Sequence, residues 1–294
     1  MRVFVTGATG FVGSALVPEL IDAGHQVLGL ARNDAGAQSL AAAGAQVHRG
    51  DVENLESLRT GAANADAVIH TAFIHDFSKF QESCEIDRKA IETLGDALAG
   101  SDRLLIVTSG LALVAKGRAA TEQDLPVPVS ASYPRASEEA AAALEARGVR
   151  TIVMRLSQIH DTVKQGLVTY AIQIARQKGV SAYIGDGLNR FAAAPRLDTA
   201  RLYQMALEKG DSGARYHAVA EEGVPMREIA EAIGQGLHVP VVSIAPEKAA
   251  EHFGWFARFA GLDISASSAQ TRKKLGWNPK GPGLIADLEN MRYE

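Results

Sequence analysis

The chain has 294 residues, a formal net charge of −4, 47% hydrophobic and 22% charged residues, the make-up of a soluble globular protein with room for one large domain and a smaller second one. That balance gives no whole-molecule attraction for nucleic acid or an anionic membrane, so neither is expected as a partner. Cys84 is the only cysteine, which excludes an intrachain disulfide and a multi-cysteine metal site and fits a reducing, cytoplasmic setting.

Met1 leads straight into an apolar run, with no signal-peptide pattern before it, and no apolar stretch reaches membrane-spanning length. Short β-branched runs at Arg2–Thr6, Gln26–Leu30, Ala45–Arg49, Ala67–Thr71, Arg103–Thr108 and Arg150–Leu156 predict buried strands. Between them Phe11–Ala23, Asn54–Ala63, Glu82–Ala99 and Ala136–Ala146 carry helical patterns, and the alanine-rich Ala35–Ala45 is helix material. Alternation of this kind predicts an α/β fold, a Rossmann-type doubly wound parallel sheet.

Past Ser157 helices dominate: Gln165–Gln177, Asp198–Glu208, Met226–Gln235 and Glu247–Phe259, with brief strands near Tyr216–Val219 and Val241–Ile244. The expected division is a Rossmann-type domain over 1–157 and a smaller C-terminal α/β lobe over 158–294, interleaved with the first and joined to it without a linker. Trp255, Phe256 and Phe259 are expected in the core of that lobe, and Asp198 as a helix N-cap.

Thr6-Gly7-Ala8-Thr9-Gly10-Phe11-Val12-Gly13 follows the first strand and opens a helix. Each glycine answers a steric demand: Gly7 the sharp turn, Gly10 the approach of backbone N–H groups to a pyrophosphate, Gly13 the close packing of helix on strand. The helix N-terminus then offers the diphosphate free donors and a partial positive charge. Thr9, Phe11 and Val12 share this turn as cofactor contacts. At the end of the second strand, where an NAD site has a carboxylate for the ribose, stands Arg32, suited to the 2′-phosphate of NADP. NADP is therefore the expected cofactor, with NAD as the alternative. Asp51 and Val52, after the third strand, suit the adenine.

The glycine pattern, Gly50-Asp51-Val52, His70-Thr71-Ala72, Arg196-Leu197-Asp198-Thr199-Ala200 and Lys274-Leu275-Gly276-Trp277-Asn278-Pro279 together resemble the extended short-chain dehydrogenase/reductase family over the whole chain. The resemblance implies hydride transfer at a carbonyl or a sugar carbon, and a C₂ homodimer formed through the helices at Glu82–Ala99 and after Tyr133. It places Thr71, Ala72, Phe73, Thr108, Tyr133, Leu156 and Gln158 around the cofactor. It also makes Tyr133 the proton donor, with Ser109 or Thr108 polarising the carbonyl. Four residues beyond Tyr133, where the family has lysine, this chain has Ser137, and Asp87 replaces the usual asparagine. Arg135 is a second source of positive charge.

His75, Phe77 and His160 follow strand ends and are expected near a small-molecule substrate; no metal site is expected, because the histidines lack ligand spacing. The leading function is NADP(H)-dependent reduction of a small or medium-sized carbonyl compound. The alternatives are a dinucleotide-binding sensor or scaffold without redox chemistry and, behind it, a nucleotide-sugar epimerase or dehydratase.

Overall fold

The computed structural model describes residues 1–293. Seven parallel strands form the main sheet: β1 (Arg2–Thr6), β2 (Gln26–Ala31), β3 (Gln46–Arg49), β4 (Ala67–His70), β5 (Leu104–Gly110), β6 (Arg150–Leu156) and β10 (Arg215–Ala218). Their order is β10-β6-β5-β4-β1-β2-β3. The direction of winding reverses at β1, so a crevice opens between the carboxyl ends of β1 and β4, the place where ligands bind in sheets of this kind.

These strands read as apolar runs because both faces are covered. On one side α1 (Gly13–Asp22) and α7 (Arg196–Lys209) pack on Val3, Val5, Ile69, Ile106 and Met154. On the other, α3 (Leu55–Ala63), α4 (Phe80–Leu98) and α5 (Ser137–Ala146) pack on Phe4, Val68, Leu105, Val107 and Val153. The remaining first-half helix, α2 (Asp34–Ala42), is capped by Asn33, whose side chain accepts from the Gly36 N–H.

The second lobe has its own core, built from α6 (Val168–Lys178), α8 (Met226–Leu237) and α12 (Leu284–Glu289) around Phe191, Ile229, Ile233 and Leu288. It adds a three-stranded sheet, β11-β9-β7, from β7 (Gln158–His160), β9 (Arg190–Pro195) and β11 (Glu221–Pro225). A parallel pair joins β8 (Ser181–Ile184) to β12 (Val241–Ile244). The chain crosses the 157/158 division: α7 packs along α1, and β10 is the edge strand of the main sheet.

Three local expectations are corrected. The helix predicted over Glu247–Phe259 is broken into α9 (Ala249–Phe253) and α10 (Ala257–Ala260), because Gly254 turns to φ 56°, ψ −133°, a conformation only glycine adopts readily. Phe256 is buried as expected, but Trp255 is 41% exposed and Phe259 half-exposed. Asp198 is not an N-cap: α7 begins at Arg196, and the Asp198 carboxylate instead accepts from the backbone N–H groups of Lys280 and Gly281 at 3.0 and 2.7 Å. It ties the segment after α11 (Ala269–Leu275) to α7, on the main sheet.

Candidate functional site

The glycine turn lies at the reversal point of the sheet. Gly7 has φ 67°, and a Cβ there would come within 2.7 Å of the Ala72 nitrogen, so the turn and the end of β4 are in backbone contact. Thr71 fixes the same junction by donating to the Thr6 carbonyl at 2.8 Å. At Gly13 a Cβ would overlap the Gly7 carbonyl, which is the helix-on-turn packing expected of this glycine. Gly10 differs. Its only close neighbour would be the Gly7 oxygen at 3.0 Å, and Thr9 and Gly10 are exposed. The space in front of Gly10 is open, at the start of α1, where a helix N-terminus could hold a diphosphate.

Arg32 and Asp51 stand side by side at the ends of β2 and β3, 3.7 Å apart, with the Arg32 side chain 70% exposed. The Thr9 methyl lies 3.2 Å from where a Gly36 Cβ would be, so Thr9 adjoins the N-terminus of α2. Thr9, Arg32 and Asp51 thus share one edge, where they could hold an adenosine ribose. Val52 is buried with Leu28, Leu30 and Leu58, and Asp51 accepts from the Glu53 N–H.

A residue the sequence reading passed over closes the turn from the other side. Arg196, at the start of α7, donates from Nε to the Phe11 carbonyl at 2.6 Å, from Nη1 to Asp161 at 2.9 Å and from Nη2 to Ser14 at 2.7 Å. Its guanidinium lies 5.0 Å over the Phe11 ring, and Lys164 lies 5.5 Å from the same ring. Two cations of the second lobe are thus turned toward the dinucleotide turn. Nothing local in the sequence marks this, since Arg196 and Phe11 are 185 positions apart.

The catalytic candidates separate by strand parity. Ser109 has the parity of Leu105 and Val107, which face α4 and α5, whereas Thr108 has that of Ile106, which faces α1 and α7. Thr108 donates to the His70 carbonyl at 2.7 Å, and its hydroxyl is 2.6 Å from the buried Tyr203 hydroxyl. Thr108 is therefore held toward α7, and Ser109 is the hydroxyl that faces α4 and α5.

Tyr133 is half-buried, in a turn closed by paired backbone bonds with Ser130. Burial raises its pKa, and the nearby Arg135 guanidinium opposes that rise. Arg135 lies 4.6 Å over the Phe73 ring, donates to the Thr108 carbonyl at 3.2 Å and reaches the Ser137 hydroxyl at 3.0 Å. Ser137 in turn donates to Asp87 at 2.6 Å. The other Asp87 oxygen faces His70 Nε2 at 3.2 Å, and His70 Nδ1 is 2.7 Å from the Thr6 hydroxyl. The two positions that depart from the family pattern are thus bonded to each other, and a buried chain from Thr6 to Ser137 ends on Arg135.

Of the remaining candidates, His75 lies at the cleft edge, where desolvation first, then Arg135 and Lys164, lower its pKa. Phe77 stacks on Trp255 at 4.4 Å. Leu156 is half-buried at the end of β6. Gln158 and His160 are drawn elsewhere. The Gln158 amide donates to the Gln165 carbonyl and accepts from the Val168 N–H, and buried His160 pairs with Asp287 at 2.6 Å. Both serve the second lobe. Among the described residues no group of His, Cys, Asp and Glu is arranged to hold a metal, and no helix is long and apolar enough to cross a membrane.

Comparison with known proteins gives the same frame. Residues 7–182 match a family described as NAD(P)H-binding. An uncharacterized protein of Schizosaccharomyces pombe is 44% identical over all of both chains. A 4-hydroxy-2-methyl-3-oxo-4-farnesyl-3,4-dihydroquinoline-1-oxide ketoreductase of Stigmatella aurantiaca is 26% identical, with 94% of this chain and 92% of that protein covered. Among solved structures, the UDP-glucose 4-epimerase of Thermus thermophilus in complex with NAD superposes with a TM-score of 0.77 at 21% identity, covering 100% of this chain and 99% of that one. Matched over more than half its length, with its glycine turn at the reversal of a seven-stranded parallel sheet, the chain belongs to the NAD(P)H-binding Rossmann family and has the fold of the extended short-chain dehydrogenase/reductases.

Proposed function

We propose that this chain is an NADP(H)-dependent reductase of carbonyl compounds in which Tyr133 donates the proton, Ser109 polarises the carbonyl oxygen and Arg135 supplies the positive charge that the family draws from lysine. The observation that carries this reading is the placement of Arg135. It is fixed between the Thr108 carbonyl, Ser137 and the face of Phe73, and its charge acts on the Tyr133 phenol. A neutral phenol beside a guanidinium is a competent general acid, and the serine hydroxyl donates to the oxygen as charge develops there. The bound dinucleotide supplies the hydride. The Stigmatella relative is named for ketone reduction, which agrees with this direction.

The test is purified protein with NADPH and a panel of aldehydes and ketones, followed at the reduced-nicotinamide absorbance band. Consumption above the protein-free rate is the expected result. Tight NADPH binding with no consumption across the panel overturns the reductase. It would leave the second reading, a dinucleotide-binding sensor, which the bond between Ser137 and Asp87 at the lysine position favours.

The preference for NADP rests on Arg32, whose exposed guanidinium has, among the described residues, only Asp51, at 3.7 Å, as a charged partner. Arg32→Ala should weaken NADPH by about 10- to 150-fold, the ~1.5–3 kcal/mol of a charged hydrogen bond, and leave NADH within about twofold. Isothermal titration with both cofactors checks this. Equal losses would mean that Arg32 does not read the 2′-phosphate.

A further inference from the structure

Six aromatic side chains, none fully buried, form one continuous layer at the mouth of the cleft: Phe73, Phe77 and Phe80 from the segment after β4, and Tyr170, Trp255 and Phe259 from the second lobe. The layer begins at the catalytic candidates, since Phe73 lies under Arg135 and His75 is edge-on to Phe73 at 5.2 Å. It ends in the second lobe, where Trp255 lies flat on Phe77 at 4.4 Å and 9°, with Tyr170 edge-on to both at 5.5 and 4.9 Å.

Packing of the second lobe accounts for only part of it: Phe253 and Phe256, 4% and 0% exposed, lie in that core and Tyr170 and Phe259 lie against it, while Trp255 in the same short segment keeps 41% of its surface in water. A contiguous half-exposed aromatic surface of this kind marks a binding site. Arg196 and Lys164 of the second lobe sit against Phe11, on the dinucleotide side, while Arg135 lies over Phe73 where the layer begins.

We propose that the substrate is a carbonyl compound with a flat or ring-bearing apolar body, which lies on the exposed surface of the Phe77, Tyr170 and Trp255 cluster with its carbonyl directed toward Tyr133 and Ser109. This rests on the carbonyl-reductase reading, and the experiment separates the two. The probes are a methyl naphthyl ketone, hydroxyacetone as a small polar ketone and UDP-glucose, each titrated into NADP⁺-saturated protein while tryptophan emission is recorded. Trp255 is the exposed fluorophore and Trp277, 2% exposed, the shielded one.

Saturable quenching by the naphthyl ketone is expected, weakened about tenfold or more in Phe77→Ala and abolished in Trp255→Leu. NADPH affinity, measured separately, shows that each variant is folded. Parallel NADPH-consumption assays should show the KM for the naphthyl ketone rising in Phe77→Ala. Quenching without turnover in wild type keeps the aromatic site and sinks the reductase. Turnover of ketones with no dependence on Phe77 or Trp255 keeps the reductase and sinks the aromatic site. Tighter binding of UDP-glucose than of the ketone overturns the proposed substrate class. So does concentration-dependent self-association that is lost in Trp255→Leu, which would make the layer a contact between copies of this chain.

Discussion

Gly10→Val should raise the dissociation constant for NADPH at least ~100-fold, a loss of about 2.7 kcal/mol, while the protein stays folded. The two halves of that expectation have separate causes. A side chain at position 10 would fill the space where a diphosphate would meet the backbone N–H groups at the start of α1, so a charged ligand would lose its approach to the helix N-terminus. The fold itself meets only one tight contact, the Gly7 oxygen at 3.0 Å, which a few tenths of an ångström of movement relieves. Gly13→Ala is the contrast. Its Cβ would overlap the Gly7 carbonyl, pushing α1 off the turn, so thermal stability should fall along with binding. Isothermal titration paired with a thermal melt separates these cases. Full NADPH affinity in a folded Gly10→Val protein would move the cofactor away from this turn.

The first half of the fold is legible in the sequence because a parallel strand covered on both faces must be apolar throughout. Runs such as Val3-Phe4-Val5 and Leu104-Leu105-Ile106-Val107 have few other readings. The second lobe hides more. Arg190–Pro195 is a buried strand, yet its core is three alanines, a helix-forming composition, and the strand exists because β7 and β11 flank it. The strand at Arg215–Ala218 is recognisable, but not that it joins the main sheet beyond β6.

At the site, spacing and motif point to Tyr133, Ser109 and the glycines. They cannot tell which helices each face of β5 meets, so Thr108 and Ser109 look equivalent until α7 is seen to hold Thr108 through Tyr203. Arg196 and the bond from Ser137 to Asp87 are long-range pairings across 185 and 50 positions, which leave no periodic mark. The missing lysine is plain in the sequence. That its place is filled by a bonded Ser137–Asp87 pair, with Arg135 anchored to it, is visible only in three dimensions.

Tyr133→Phe should lower the reductive turnover by roughly 10²- to 10⁴-fold, the share of a positioned general acid, with NADPH affinity changed by less than about twofold. The pH dependence identifies the donor. Burial holds the Tyr133 pKa above its ordinary value of 10, so the phenol is protonated throughout the neutral range. Reduction should therefore be flat from about pH 6 to 9 and fall only as pH approaches that raised value. His75 gives the opposite profile. Its pKa lies below the usual 6.5 through desolvation and the charges of Arg135 and Lys164, so it is mostly neutral above that pH, and a rate requiring its proton would already be falling below pH 6.5. Alcohol oxidation needs the phenolate, so it should be slow at neutral pH and climb as pH rises. Arg135→Met removes the charge that opposes the burial of Tyr133, lifts the phenol pKa further and so slows oxidation more than reduction. A Tyr133→Phe protein with the wild-type rate, or a reductive rate that drops between pH 5 and 6.5, would assign the proton to another group.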